Sequence, residues 1–148
     1  MYRDKSNQSG DLSEALVYAD LVGKGWIVLQ PSSRDAVYDY VVDRGNMVFE
    51  TVQVKTMQSN SICKYIDRSG ERVSHNGKTR NSLDYAAHGI HWLAGVHKET
   101  GEIYYYKHET YSRIPSKSFS VNKYPQDGFP DGNPSTTHKE KNKNLTAA

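Results

Sequence analysis

The sequence predicts a single domain of the α+β class. Apolar residues recur at three- and four-residue spacing over residues 11–23, which is typical of an amphipathic helix. Short apolar or alternating stretches follow within residues 26–56, and a hairpin is predicted over residues 89–107. A length of 148 residues is that of one domain. The predicted order is therefore a helix, a three-stranded meander, a connecting segment and a hairpin.

Gly and Asp residues flank the predicted helix, with Gly10 and Asp11 at its start and Gly23 at its end. A hairpin connection is predicted at residues 43–46, and a short helical turn within residues 81–87. Strands are predicted, in order, at residues 26–29, 38–42, 47–56, 89–96 and 102–107.

The sequence changes character at Pro115. From there onward it carries scattered Pro, Gly, Asn, Ser and Lys with almost no apolar periodicity, which favours irregular or disordered structure. The folded domain is therefore predicted to comprise residues 1–114, and residues 115–148 are predicted to be an irregular or disordered tail.

Composition excludes several classes of protein. The single cysteine, Cys63, excludes an intramolecular disulfide and a zinc site built on paired thiolates. No run approaches the ~20 apolar residues of a membrane span, and residues 1–5 lack the apolar core of a signal peptide. A reducing intracellular compartment, the cytoplasm, is expected.

The net charge of +2 conceals an uneven distribution. Residues 1–60 carry six basic and eight acidic side chains, whereas residues 61–148 carry thirteen and nine. Because salt screens exposed charges beyond roughly 10 Å, a local basic excess matters more to a polyanion than the total charge. The second part of the chain is thus the better candidate for phosphate contacts.

Three polar features lie on the predicted helix and strands. Glu14 is on the helix, Asp39 is on the second strand, and the third strand carries Gln53, Val54 and Lys55. Residues two apart on a strand share a face, so Gln53 and Lys55 point the same way. Since an unpaired ammonium is costly to desolvate, a lysine on a valine-rich strand indicates a neighbouring anion.

Together, these features resemble the PD-(D/E)XK nucleases. The resemblance spans roughly residues 9–107 and rests on the ordered segments GDLSEA (10–15), KGWIV (24–28), YDYVV (38–42) and VQVKT (52–56). The pattern is most similar to that of the homing endonucleases encoded in group I introns, in which Gln-x-Lys is the expected form. The resemblance implies a central mixed β-sheet flanked by helices and a metal-dependent endonuclease.

The resemblance also implies roles for individual residues. Asp39 would be the central ligand of Mg²⁺ (or Mn²⁺), with Glu14 and the backbone carbonyl of Val54 as further ligands. Lys55 would orient or deprotonate the attacking water, or stabilise charge on the phosphorane. Gln53 stands where most of the superfamily has a carboxylate, and it can still offer a carbonyl oxygen.

The implied substrate is double-stranded DNA. A chain with one site that cuts two strands is expected to act as a homo-oligomer, a dimer or a tetramer. Basic residues between positions 64 and 80 would contact phosphates. These candidate DNA contacts are Lys64, Arg68, Arg72, Lys78 and Arg80.

Other interpretations of the site residues stay open at this point. Glu14 follows Asp11 at the spacing of a helix capping box. Asp39 could be a sheet-edge carboxylate, and Lys55 could extend from a strand end into solvent. A symmetric hairpin would place Asp39 opposite Glu50, so convergence on Gln53 requires a bulge or a sheared register, with Glu50 as the fallback ligand.

Two other functions stay open as well: a structure-specific nuclease such as a Holliday-junction resolvase, and an inactive DNA-binding protein of the same fold. Several further polar and aromatic residues are expected to lie at the surface or to fill the core rather than to act. They are His88, His91, His97, Cys63, Trp92 and residues 104–106.

Overall fold

The computed structural model describes residues 4–67 and 82–132. Five strands form one sheet in the order β1-β2-β3-β7-β8, with β3 and β7 parallel and the other neighbours antiparallel. This mixed sheet confirms the predicted fold class. The elements are α1 (Lys5–Gly23), β1 (Ile27–Leu29), β2 (Tyr40–Gly45), β3 (Val48–Met57), β4 (Ser61–Cys63), β5 (Tyr65–Asp67), β6 (Ser82–Asp84), β7 (Trp92–His97), β8 (Ile103–Lys107), α2 (His108–Tyr111) and β9 (Ser118–Ser120).

Helix α1 is longer than the sequence predicts. It begins at Lys5, and the N–H of Gln8 already donates to the carbonyl of Asp4 at 2.9 Å. These first turns carry no apolar stripe, so apolar periodicity cannot detect them. Asp11 therefore lies inside the helix, and the capping-box interpretation of Asp11 and Glu14 is wrong.

The sheet has a core on each face. On one face, α1 packs Val17 and Leu21 against strands β2, β3 and β7, and we call this the helix-side core. On the other face, Leu93 and Tyr106 of the sheet lie beneath β4, β9 and the segments around them, forming the tail-side core. Side chains that alternate along β3 therefore enter different cores.

Residues 115–132 belong to the domain, which corrects the prediction of an irregular tail beginning at Pro115. Strand β9 pairs with β4, and Phe119 is buried in the tail-side core. Phe129 is buried in the helix-side core, where its ring centroid lies 4.6 Å from that of Trp92. Isolated aromatic anchors between prolines leave no periodic signal, so composition alone suggested disorder. Residues 133–148 lie outside the described residues.

Two details within residues 81–91 differ from the sequence predictions. Residues 82–84 form β6, which pairs with β5, and the predicted helical turn begins only at Asp84, whose carbonyl accepts from the N–H of His88 at 3.1 Å. Residues 89–91 precede β7 rather than beginning it. Both differences arise from pairing between distant segments, which local patterns do not encode. None of the helices described is long and apolar enough to span a membrane.

Candidate active site

A bulge in the β2–β3 hairpin aligns Asp39 with the motif on β3. The register shifts just after Asp43 and then pairs Tyr40 with Val52. Asp39 directly precedes this ladder, and its backbone bonds to Val52, the residue before Gln53. The structure thus contains the register shift that convergence of the site requires.

Glu50, the fallback ligand, is engaged elsewhere. It lies opposite Val42, its carboxylate is 3.1 Å from Nε of Arg44, and it accepts a hydrogen bond from Nε1 of Trp92 at 3.3 Å. The Arg44 guanidinium also lies over the Trp26 ring, 4.3 Å from its centroid. Glu50 is therefore a structural partner of Arg44 and is not the acidic ligand.

Two backbone contacts fix the position of Asp39. Its N–H donates to the carbonyl of Val52 at 2.9 Å, and its Oδ2 accepts from the N–H of Val54 at 2.8 Å. In a strand the N–H and C=O of one residue face the same neighbour. The carbonyl of Val54 therefore faces the edge at which Asp39 lies, as the predicted ligand role would require.

Helix α1 brings Glu14 to Asp39, and the two carboxyl groups are hydrogen-bonded to each other. Contacts at Glu14 itself and at the preceding Ser13 hold the helix in this position. The Tyr40 hydroxyl donates to the Glu14 carbonyl at 3.0 Å, and the hydroxyls of Ser13 and Thr56 are 2.7 Å apart. Both contacts tie this stretch of the helix to the sheet.

The environment of Glu14 favours its protonated form. Burial raises the pKa of Glu14 to about 8, and the hydrogen bond to Asp39 and the negative charges of Asp39 and Asp11 act in the same direction. At neutral pH the Glu14 carboxyl therefore retains a proton. A carboxyl pair of this kind needs either a proton or a cation between its oxygens.

Gln53 and Lys55 occupy the opposite face of β3 from the helix-side core. Gln53 is buried, and its Nε2 donates to the carbonyl of Val54 at 3.3 Å. The Lys55 ammonium donates to the carbonyl of Tyr65 at 3.4 Å and lies 5.0 Å from the centroid of the Tyr85 ring. Backbone atoms of Val54 thus lie between the carboxyl pair and the Gln-x-Lys side chains.

The carboxyl pair opens into a cleft of about 690 Å³. The acidic residues on its walls are Asp4, Asp11, Glu14 and Asp39. The loop between β1 and β2 forms the opposite wall and contributes Arg34, an exposed cation. The sequence analysis did not single out Arg34, and its only signal was a basic residue in the loop that leads into Asp39.

The candidate DNA contacts need one correction. Lys64 is 5% exposed, and its ammonium donates to the carbonyls of Tyr111 and Ile114 in the protein interior. It is therefore not available to a phosphate, because leaving these carbonyls would strand buried polar groups. Arg68, Arg72, Lys78 and Arg80 lie outside the described residues, and their DNA contacts stay a prediction.

The histidines hold local structure. Nδ1 of His91 accepts from the backbone N–H of Thr51 at 2.9 Å, and Nδ1 of His97 accepts from the N–H of Glu99 at 3.3 Å. His88 is exposed. Within residues 4–67 and 82–132, no three His, Cys, Asp or Glu side chains gather around one metal position.

The aromatic residues that could have stacked on bases mostly fill the cores. Trp92, Tyr105 and Tyr106 are buried, and the Tyr104 hydroxyl donates to Glu102 at 2.8 Å. Cys63 is exposed, and its Sγ donates to the carbonyl of Tyr65. The prediction of packing roles is confirmed for the three buried aromatic residues.

The residues present fit one divalent cation. Mg²⁺ takes oxygen ligands and is commonly bound by one or two carboxylates, with water and phosphate completing its shell. Asp39 and Glu14 provide two carboxyl groups in contact, and the Val54 carbonyl faces the same edge. A cation here would replace the proton that Glu14 otherwise retains.

Comparison with known proteins decides the family. The model of the PD-(D/E)XK endonuclease family matches residues 4–122. The chain belongs to this family. Among solved structures, one of a bacterial homing endonuclease superposes with a TM-score of 0.65 at 15% identity, covering 84% of this chain and 83% of that one. At this identity the likeness concerns the PD-(D/E)XK fold. No curated protein sequence matches the chain.

Proposed function

We propose that this PD-(D/E)XK endonuclease is a metal-dependent DNA endonuclease of the homing type, which hydrolyses phosphodiester bonds to make a site-specific double-strand break. The observation that carries the proposal is the hydrogen-bonded pair of Glu14 and Asp39 in the wall of an acidic cleft, with Asp39 bonded to the backbone of Val52 and Val54 on either side of Gln53. The superposition on a bacterial homing endonuclease supports the homing type.

In this proposal Asp39, Glu14 and the Val54 carbonyl would hold Mg²⁺ or Mn²⁺. Such a cation would supply Lewis-acid stabilisation of the charge on the reacting phosphate. The N–H of Val54 keeps the Asp39 carboxylate oriented, and Glu14 would give up its proton to act as a ligand. Gln53 holds the Val54 carbonyl through its amide, so it shapes the metal position without adding a third negative charge.

Lys55 would act on the attacking water or on the phosphorane. Its ammonium carries three donors on a flexible stem, so it can orient a water molecule or lie beside a phosphate oxygen. Arg34, on the other wall of the cleft, is placed to bind a DNA phosphate.

Two active sites are needed to cut both strands, so we expect a homo-oligomer, a dimer or a tetramer. Support comes from exposed apolar side chains on β1 and on the β2–β3 hairpin. Cross-strand pairing places Ile27 and Phe49 on either side of Asp43, and Met47 is 83% exposed at the turn. A second copy of the chain is the expected occupant, and analytical ultracentrifugation of wild type and Phe49→Asp tests this.

Cleavage of a random-sequence duplex library, with the ends mapped, tests the proposed function. We expect cutting that depends on Mg²⁺, stops in chelator, and is lost in Asp39→Ala and Lys55→Ala while DNA binding persists. Glu99→Ala and Lys98→Ala, both in the exposed β7–β8 turn, are the matched controls. Retained cleavage in Asp39→Ala or Lys55→Ala would refute this site.

Two other results would replace the homing assignment. Preferential cutting of a four-way junction over the linear library would favour a junction resolvase. Binding that shifts DNA in a gel, without any cleavage in Mg²⁺ or Mn²⁺, would favour an inactive DNA-binding protein.

A further inference from the structure

The Lys55 ammonium lies against an aromatic face. Its Nζ is 5.0 Å from the centroid of the Tyr85 ring, within the ~6 Å over which a ring face attracts a cation. The same ammonium donates to the backbone carbonyl of Tyr65 at 3.4 Å. A lysine side chain has four flexible carbons, so contacts at its charged end restrict where that end can go.

Tyr85 is itself fixed. Its side chain is 0% exposed, its N–H donates to the Lys64 carbonyl at 3.1 Å, and its carbonyl accepts from the N–H of Ile90 at 3.1 Å. Asp84 further braces the turn, because its Oδ1 accepts from the N–H of Ala86 at 2.9 Å. The ring therefore presents its face to Lys55 from a rigid support.

Lys64 connects the Tyr65 carbonyl and the Tyr85 ring, both of which contact Lys55. Its carbonyl holds Tyr85, and it directly precedes Tyr65, whose carbonyl accepts from Lys55. The buried Lys64 ammonium is anchored on the carbonyls of Tyr111 and Ile114, and its N–H donates to the carbonyl of Lys117 at 2.8 Å. The carbonyl and the ring that receive Lys55 thus share one anchor in the tail-side core.

We infer that Tyr85 is a positioning residue for Lys55, acting through the face of its ring. The inference rests on the proposed function for its catalytic consequence. Because the ammonium is held in place before substrate binds, less conformational entropy of the Lys55 side chain is lost on reaching the transition state. The hydroxyl of Tyr85 takes no part in this role, so phenylalanine is expected to replace tyrosine.

Substitutions at Tyr85 test the catalytic consequence. We expect kcat of Tyr85→Phe to stay within about twofold of wild type, and kcat of Tyr85→Leu to fall about five- to thirtyfold with KM unchanged. Tyr106→Leu is the matched control, because Tyr106 is equally buried in the tail-side core and its hydroxyl bonds to the carbonyl of Tyr124. Equal losses of kcat in Tyr85→Leu and Tyr106→Leu, assayed below their unfolding temperatures, would overturn the inference.

An NMR measurement separates this inference from the proposed function. The ring face is expected to shift the ε-methylene proton resonances of Lys55 upfield in wild type and in Tyr85→Phe. Tyr85→Met, which keeps an unbranched apolar side chain, is expected to lose the shift. Unshifted Lys55 resonances in the folded wild-type protein would refute the positioning even if the protein cleaves DNA. Absence of cleavage with the shift present would refute only the nuclease function.

Discussion

Replacing Glu14 by Gln should flatten the pH dependence of stability in the metal-free protein. The pKa of Glu14 is raised from 4.5 to about 8 by burial, by its hydrogen bond to Asp39 and by neighbouring negative charge. The folded state therefore holds this proton more tightly than the unfolded chain. The resulting stabilisation is complete below about pH 4.5 and is lost as the pH rises to about 8.

The size of the effect follows from the pKa difference and from exposure. A carboxyl isolated from water with this shift would contribute up to ~5 kcal/mol. Glu14 is only half-buried, and solvent screening reduces the expected contribution to ~1–2 kcal/mol. In a chain of this length 1 kcal/mol corresponds to ~2–4 °C, so the wild-type Tm should lose about 2–8 °C between pH 5 and pH 8.5 on account of Glu14.

Thermal unfolding in chelator at half-unit pH steps measures this loss. The Tm of Glu14→Gln should change less with pH than the Tm of wild type. Glu99→Gln, exposed in the β7–β8 turn, should show the same pH dependence of Tm as wild type. Adding Mg²⁺ at pH 8 should raise the Tm of wild type more than that of Glu14→Gln, because the cation binds the folded state. Parallel curves for wild type and Glu14→Gln in chelator would refute the reasoning about this pair.

The remaining predictions concern Phe129 in the helix-side core and Arg34 in the cleft. Phe129→Ala, which removes a 5%-exposed ring packed on Trp92, should cost ~3–5 kcal/mol of unfolding free energy, measured by urea denaturation. The 57%-exposed Leu12 of α1 is the control, and an equal loss in Leu12→Ala would contradict the packing argument. Arg34→Gln should weaken DNA binding at all sequences and reduce the slope of log K against log salt by about 1, whereas Arg113→Gln, outside the acidic cleft, should leave that slope unchanged.

Local sequence patterns located most of the sheet because its strands carry their own signals. Alternation on β3 places Val52 and Val54 in one core and Gln53 and Lys55 on the opposite face, as the spacing predicts. The mutual approach of Glu14 and Asp39 is a different matter. It depends on a bulge and on helix packing, and it could be expected only from the resemblance to a family.

Sequence reasoning was wrong where burial depends on distant partners. A lysine in a polar segment is expected at the surface. Lys64 is nevertheless buried, because its ammonium donates hydrogen bonds to carbonyls near the end of α2. Phe119 and Phe129 stand alone among prolines and polar residues, and each finds its core through contacts far along the chain. Neither case leaves a local pattern, so tertiary structure is needed to detect it.

Gln53 limits the negative charge of the metal-free site, because it places a neutral amide where most of the superfamily has a carboxylate. Its side chain is 9% exposed, and its amide donates to the Val54 carbonyl beside the Glu14–Asp39 pair. Gln53→Glu would restore the acidic residue usual in the superfamily, but it would remove that donor and bury a third carboxyl. Such a buried charge costs several kcal/mol unless it is protonated or paired.

We therefore expect Gln53→Glu to lower the Tm markedly in chelator at pH 8, and to recover most of the loss at pH 5 or in Mg²⁺. Gln126→Glu, an exposed position, is the control. An equal Tm for Gln53→Glu and wild type in chelator at pH 8 would show that the metal-free site tolerates a further negative charge. That result would also refute the role assigned to the Glu14 proton.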